Sequence, residues 1–470
     1  MSDAKPPLQA HATRDLARFG AGLQYAQIPA EAVARIKSSV LDALGCCLFG
    51  ATLPWTQKVA ALADAEGAKP VASLFGFGRK TSASLAALVN STGGHAFELD
   101  DIHKESIIHP NSLALPVAVA LAEQQGRGTG KDVITAMVAG YEIGTRIGNA
   151  ATMSLFFRGF HPQGTSGVFV AAGTAARMLG LDAERFQHAL GIAGSQGGGL
   201  MAAQEGAMVK RFHGGRAAQS GIYSAQLAAD GFTGILDVAE AAYGGFVTSH
   251  SDKPDASRLT AGLGSTWETL QVGYKPHATV TSIHSAQDGL LELMKTHGLA
   301  ADDIAEVEAG LSPMTHVHCA WEYKAQGVTA AQMNLYYGLA MIALEGQAFT
   351  EQFLPHRLAE PRTLDFVSRI KARVDPEIEA MGPPFRHASR IKVKTCDGRA
   401  FEKVTLHRRG SPENPLAPAE IVEKFFAVVS PCMERSRAEK IVALVDRLET
   451  LDRLDDLIAL ATAPVKLKAP

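Results

Sequence analysis

Apolar residues recur at helical spacing along most of this chain, lose that spacing near residue 270 and regain it near 415. Two differently built parts are therefore required, one of them assembled from both ends of the sequence. In IPAEAVARIKSSVLDALGCCLFG, Pro29 stands near a helix start, and Val33, Ile36, Val40, Leu44 and Cys47 share one face. SLALPVAVALAEQQGRGTGKDVITAMVAGYEIGTRIG predicts two helices broken at GRGTG. After residue 270, helical pattern (SAQDGLLELMKTHGLA) mixes with strand pattern. IAEVEAGLS alternates, and RIKVKTCDGRAFEKVTLH predicts a hairpin around Asp397-Gly398. Pro418 opens APAEIVEKFFAVV, and ERSRAEKIVALVDRLETLDRLDDLIALA carries long helical periodicity. At 470 residues the chain exceeds one simple core. The expected fold is mainly α: a large helical domain from residues 8–271 and 411–465, with a smaller α+β domain, 272–410, inserted.

The totals exclude several functions. An apolar fraction of 46% and a charged fraction of 20% describe a globular chain. A net charge of -3 gives no basic excess for nucleic acid, so an anionic substrate must meet a local cluster. The five cysteines are odd in number and form no CxxC, which points to a reduced, cytoplasmic protein. The N-terminal stretch MSDAKPPLQAHATRD has no apolar run, so no signal peptide is expected, and no stretch of 18 apolar residues predicts a membrane span.

Chemistry concentrates in four stretches. HAFELDDIHKESIIHP packs His95, Glu98, Asp100, Asp101, His103, Glu105 and His109 into one loop. Histidine and carboxylate suit zinc or iron(II), but there is no HExxH and no i,i+4 histidine pair. A bland reading makes Glu98 or Asp101 a helix cap and the rest a solvated face. RGFHPQGTSG sets His161 before a helix start, where the dipole lowers its pKa; a buried structural histidine is the alternative. GSQGGGLMAAQEGAMVKRFHGGRAAQSG joins glycines to Lys210, Arg211, His213 and Arg216, suited to a carboxylate or phosphate, or to tight helix packing with a basic rim. It is no dinucleotide or Walker loop. GYKPHATVTSIHSAQDG puts Lys275, His277 and His284 at the domain junction, where ligands tend to bind.

Together these describe a cleft of acids, histidines and lysines with no cofactor loop. Such a cleft fits proton transfer beside a carboxylate, where an enolate-like dianion needs fixed cations. Dehydration, decarboxylation and epimerisation share that need.

HAFELDDIHKESIIHPNSLALPVAVALAE resembles the signature of the MmgE/PrpD family, as do LDALGCCLFGA, GFHPQGTSG, MVKRFHGGRAAQSG, YKPHA and LDRLDDL, in order along nearly the whole chain. ELDD…H, MVKR and CAWEYK resemble the cis-aconitate decarboxylase branch. The resemblance implies a helical domain with a smaller lid domain, a homodimer, and no required metal or organic cofactor. It implies a lyase on a small polycarboxylate, of the cis-aconitate decarboxylase or 2-methylcitrate dehydratase kind. Its residues carry over as His109 and His161, the acid–base pair; Lys210 and Lys275, the carboxylate and carbanion stabilisers; and Asp100 or Asp101, orienting a histidine. Tyr336, in AQMNLYYGLAM, is an auxiliary donor. Glu98, which stands where the family often has aspartate, joins His103, Arg211, His277 and His284 as substrate-binding candidates. Val280 departs from the pattern: the family has cysteine or histidine there. A polar contact is missing, which His277 replaces or a less polar substrate avoids. Three rivals stand beside this reading: an epimerase of an amino or imino diacid, a metal enzyme on His95, His103 and His109, and a non-catalytic carboxylate-binding paralogue.

Overall fold

The computed structural model describes residues 8–468, so the first residues of the N-terminal stretch considered above lie outside the described residues. Helix boundaries follow local chemistry. Pro29 caps Ala30–Gly50, whose Ile36, Val40, Leu44 and Cys47 are buried. GRGTG separates Asn111–Gln125 from Gly130–Phe157. Gly126 ends the first helix at φ 63°, and Thr129 caps the second, exchanging bonds of 2.9 and 3.1 Å with Asp132.

One hydrophobic core joins Ile36, Leu44, Val138 and Phe169 to Phe425, Ile441 and Leu457, so the two ends of the chain share an interior. Pro418–Val429 packs on Ala30–Gly50. The long C-terminal periodicity does not give one helix: Arg435–Asp446 and Asp455–Thr462 flank a turn. That turn is held by a tertiary bond, the Gly130 amide donating to the Leu451 carbonyl at 2.8 Å, which no local pattern reveals.

Eight short strands appear among the described residues. β1 (Ala72–Leu74) and β2 (Arg79–Thr81) form a small hairpin inside the helical part, a feature the helical reading of that region omitted. β3 (Ile102–His103) pairs with β4 (Val272–Gly273), Ile102 opposite Gly273. β5 (Ile304–Leu311), β6 (Ile370–Val374), β7 (Ser389–Thr395) and β8 (Ala400–Thr405) form one sheet in the order β6-β5-β7-β8. β7 and β8 are the hairpin at Asp397-Gly398, with Gly398 at φ 90°. Helix His284–His297 covers β7 and β8, and a second core forms from Leu290, Val307, Leu339, Ile391 and Val393. Cys46, Phe49, Ala96 and Phe97 of the helical part also enter that second core, which fastens the two parts together.

No single helix among the described residues is long and apolar enough to cross a membrane. The five cysteines are free thiols, and only Cys396 is exposed.

Candidate functional site

The site begins where helix Ala83–Gly94 ends. His95 is its C-cap residue, and the chain then turns through Glu98, a non-glycine residue at φ 52°. The β3–β4 pairing pins this loop to the junction ahead of Lys275. Helix Val209–Ala229 brings Lys210 and Arg211 against it by close contact with Ala83–Gly94. A Cβ on Gly215 would lie 2.1 Å from Thr92 Oγ1 and 2.4 Å from the Leu88 carbonyl, so glycine is required there. A Cβ on Gly164 would lie 2.1 Å from the Gly198 carbonyl, and that contact holds the GFHPQGTSG turn on the glycine-rich stretch. Gly164 of the second motif and Gly215 of the third therefore serve packing.

Three cations converge on one carboxylate. Lys210 donates to Glu98 Oε1, Arg211 reaches the same oxygen at 2.5 Å, and Lys275 lies 3.4 Å from Oε2. Burial alone would raise the Glu98 pKa, but Lys210, Lys275 and Arg211 outweigh it and hold the group well below the usual carboxylate range. Burial pulls the Lys210 ammonium down to about 8, against the pull of Glu98. The two shifts differ in size because one carboxylate gains from three cations, while each cation has only a share of one carboxylate and is crowded by the others.

Asp100 organises the histidines. His95 donates Nδ1–H to its Oδ2 at 2.7 Å, and Ser112 donates to the same oxygen at 3.0 Å. Its Oδ1 lies 3.4 Å from His109 Nδ1 and 3.5 Å from Lys275. Burial opposes the Asp100 charge, but His109, His95 and Lys275 hold its pKa far down. His109 donates Nδ1–H to the Asp101 carbonyl at 2.5 Å. A carbonyl only accepts, so the lone pair of a neutral His109 is on Nε2. Burial lowers the His109 pKa to about 3. His161 caps the short helix Pro162–Thr165 and meets His213, Nδ1 to Nδ1 at 2.8 Å, so one donates and the other accepts. Burial pushes His161 well below its ordinary pKa and His213 to about 4.

The pocket is lined by Glu98, His109, His161 and Lys210 from the helical part and by Lys275, Val280, Ser282, His318 and His387 from the junction and the α+β part, called the lid below. His103 is not part of it. Its ring bonds Ser106 Oγ and Glu268 Oε2, both at 2.9 Å, so it is a satisfied histidine, and the metal trio His95, His103 and His109 does not assemble. The trio within reach of one ion is His95, Asp100 and His109. The Asp101 carboxylate faces the Asn111 amide and the Tyr141 hydroxyl, both at 3.1 Å, and only its carbonyl serves the site. Arg211 sits behind Glu98, bonded to Gln332 at 2.9 Å. Tyr336 packs in the lid core with its hydroxyl 3.4 Å from the Ala320 carbonyl, away from the pocket lining. His277 and His284 stand together, rings 5.3 Å apart, outside that lining.

Two histidines of the pocket, His318 and His387, were missed in the sequence; neither lies in one of the four motifs, and both reach the pocket from the α+β part. Val280 is an apolar spot on that same wall. Two roomier depressions, of about 640 and 860 Å³, lie elsewhere and contain no histidine, so volume is a poor guide to the chemistry here.

The buried neutral histidines predict acid sensitivity. The ordinary pKa is about 6.5 unfolded, against about 3 for folded His109 and about 4 for His213. Between those values the unfolded state binds protons that the folded state refuses. Stability is therefore intact above pH 6.5 and falls as pH drops, by up to about 1.4 kcal/mol per pH unit for each such histidine. Urea midpoints measured at pH 7 and pH 5 should show the loss; equal midpoints would contradict the neutral assignment.

Comparison with known proteins bears on the family of the chain. A family model described as the MmgE/PrpD N-terminal domain matches residues 14–259, and one described as the MmgE/PrpD C-terminal domain matches residues 277–450. The cis-aconitate decarboxylase-like protein oryM of Aspergillus oryzae is 32% identical over 482 residues, covering 98% of each chain. A cis-aconitate decarboxylase of Aspergillus terreus is 31% identical, covering 97% of this chain and 96% of its own. The human cis-aconitate decarboxylase is 25% identical, covering 94% and 93%. With both halves of the chain matched and full-length relatives above 30% identity, this protein belongs to the MmgE/PrpD family.

Proposed function

We propose that this protein is a cofactor-independent carboxy-lyase acting on a small di- or tricarboxylate, with cis-aconitate the first substrate to test. One observation carries the reading: Lys210, Arg211 and Lys275 converge beside two histidines, His109 and His161, held by Asp100 and His213. Cations at that spacing suit the carboxylates of a polyanion and the charge that develops when a carbon–carbon bond to a carboxylate breaks.

In the proposed reaction Lys210 and Lys275 hold substrate carboxylates. The carbon–carboxylate bond breaks, carbon dioxide leaves, and the electron pair shifts into the remaining carbon frame as an enolate-like anion. One proton then closes the cycle at carbon. The best donors have a pKa near the working pH. Lys210, at about 8, meets that condition, whereas His109 and His161 as they stand take protons more readily than they give them. Lys210 delivers that proton to carbon, and the His109 Nε2 lone pair and the His161–His213 pair relay a proton from solvent that restores the Lys210 ammonium. The pocket leaves about 50 Å³, room for a few water molecules, so a tricarboxylate enters only when the lid and the helical part separate.

The test is proton NMR of EDTA-treated protein in heavy water with cis-aconitate and, separately, 2-methylcitrate. Itaconate carrying one deuterium is the expected product. Dehydration of 2-methylcitrate instead would make the protein a hydro-lyase. Solvent exchange into a diacid, with no loss of carbon dioxide or water, would make it an epimerase.

A further inference from the structure

Arg408 is 2% exposed, yet neither Nη1 nor Nη2 has a hydrogen-bond partner among the described residues. A buried guanidinium without an acceptor is costly, and native proteins rarely leave one. The nearby acids are engaged elsewhere. Asp288 accepts the Arg409 amide at 2.7 Å and lies 3.6 Å from His277 Nε2, and Glu413 lies 3.5 Å from Lys104. Burial lowers the Arg408 pKa to about 10, against the partial offset of the Asp288 and Glu413 charges.

Arg408 stands close to the domain junction. Its turn, Arg408–Ser411, is tied to the junction by the Tyr274 amide donating to the Gly410 carbonyl at 2.8 Å. Helix His284–His297 begins next to that junction, and the Arg408 charge bears on both His284 and His387. Ser285 Oγ and Thr405 Oγ1 are buried and unpartnered. Both face the helix–sheet contact. Thr405 Oγ1 lies 3.1 Å from where a Cβ on Gly289 would be, and Ser285 is one turn earlier on that helix face. His284 meets the Thr279 carbonyl through Nε2 at 3.1 Å, so its neutral Nδ1 offers a lone pair and is no anion ligand. The anchor is Arg408, the residue whose Nη1 and Nη2 both lack a partner.

We propose that the α+β part holds an anion site near the candidate pocket, built on the unpartnered Arg408 guanidinium, and that it takes a small carboxylate. A planar fork of donors matches a carboxylate in a bidentate pair. The Arg408 charge acts on His387, which lines the pocket, so its ligand is either the far carboxylate of a bound substrate or a free carboxylate acting on the α+β part.

Thermal melts of the full chain with sodium malonate as probe test this without relying on turnover. In low-salt buffer Arg408→Met should melt at or above the wild-type temperature, because it removes an unpaired buried charge. Malonate should raise the wild-type melting temperature by several degrees and that of Arg408→Met by less than half as much. A variant that melts well below wild type in low salt, with equal malonate shifts in both proteins, would make Arg408 a structural arginine and overturn the proposal. If Arg408→Met does not fold, wild-type crystals soaked in bromide decide. An anomalous peak within hydrogen-bond reach of the Arg408 guanidinium supports the site, and its absence removes it. A malonate effect on the KM of cis-aconitate would then identify the free carboxylate as the source; no effect, with KM raised at least tenfold in Arg408→Lys, would identify the substrate's own.

Discussion

Lys210→Ala should lower kcat/KM for cis-aconitate by on the order of 10²- to 10³-fold, the usual cost of removing a charge that stabilises a transition state. Loss of the proton donor adds to this. The fold should survive, because Glu98 keeps Arg211 at 2.5 Å and Lys275 at 3.4 Å after the substitution. Circular dichroism and melting temperature should stay near wild type while product formation, followed by NMR, collapses. Turnover within threefold of wild type would remove Lys210 from the mechanism. The pH profile gives a second readout. With Lys210 at about 8, activity that needs its proton declines on the alkaline side of that value, and in Lys210→Ala any residual rate should lack that limb.

Asp100→Asn should cost as much in rate and more in stability. The wild-type carboxylate serves His95, Ser112, His109 and Lys275 at once. An amide of the same size keeps one acceptor oxygen but removes the charge that offsets Lys275 and the two imidazoles. We expect kcat to fall by about 10²- to 10⁴-fold, the range for losing properly set acid–base groups. We expect stability to fall by about 3–5 kcal/mol, as when one partner of a buried charge pair is removed. Asp101→Asn gives the contrast. Its carboxylate bonds the Asn111 amide and the Tyr141 hydroxyl, and its service to His109 is through the main chain. Its kcat should change by less than tenfold, and equal losses in the two variants would contradict the division of roles between neighbouring aspartates.

A single sequence revealed much of the fold because its elements are short-range. Pro29, Gly126, Thr129 and Asp132 act within one turn of the helix ends they define, and Asp397-Gly398 sets a hairpin by its own backbone preference. Amphipathic periodicity also showed that two kinds of architecture alternate, since one face of each element must be buried whatever covers it. The break between Arg435–Asp446 and Asp455–Thr462 escaped that reading because a distant amide, that of Gly130, holds it.

The candidate site divides in the same way. Glu98, His109, His161, Lys210 and Lys275 stood out as charge and imidazole in small-residue surroundings, and these are the residues the tertiary structure gathers around one pocket. Their individual partners were decided elsewhere. The strand pair β3–β4 sets His103 against Glu268 and away from its neighbour His109, and a turn at Glu98 points Asp100 and Asp101 at different partners. His318 and His387 reach the pocket only because the lid folds over it. Sequence by itself determined which chemistry this chain carries, since residue type sets charge, acidity and reach. Only the tertiary structure decided which of two adjacent acids faces the histidines and which buried arginine lacks a partner, because those outcomes depend on the path of an irregular loop and on contacts with distant residues such as Tyr141 and Lys275, which no helical or strand period encodes.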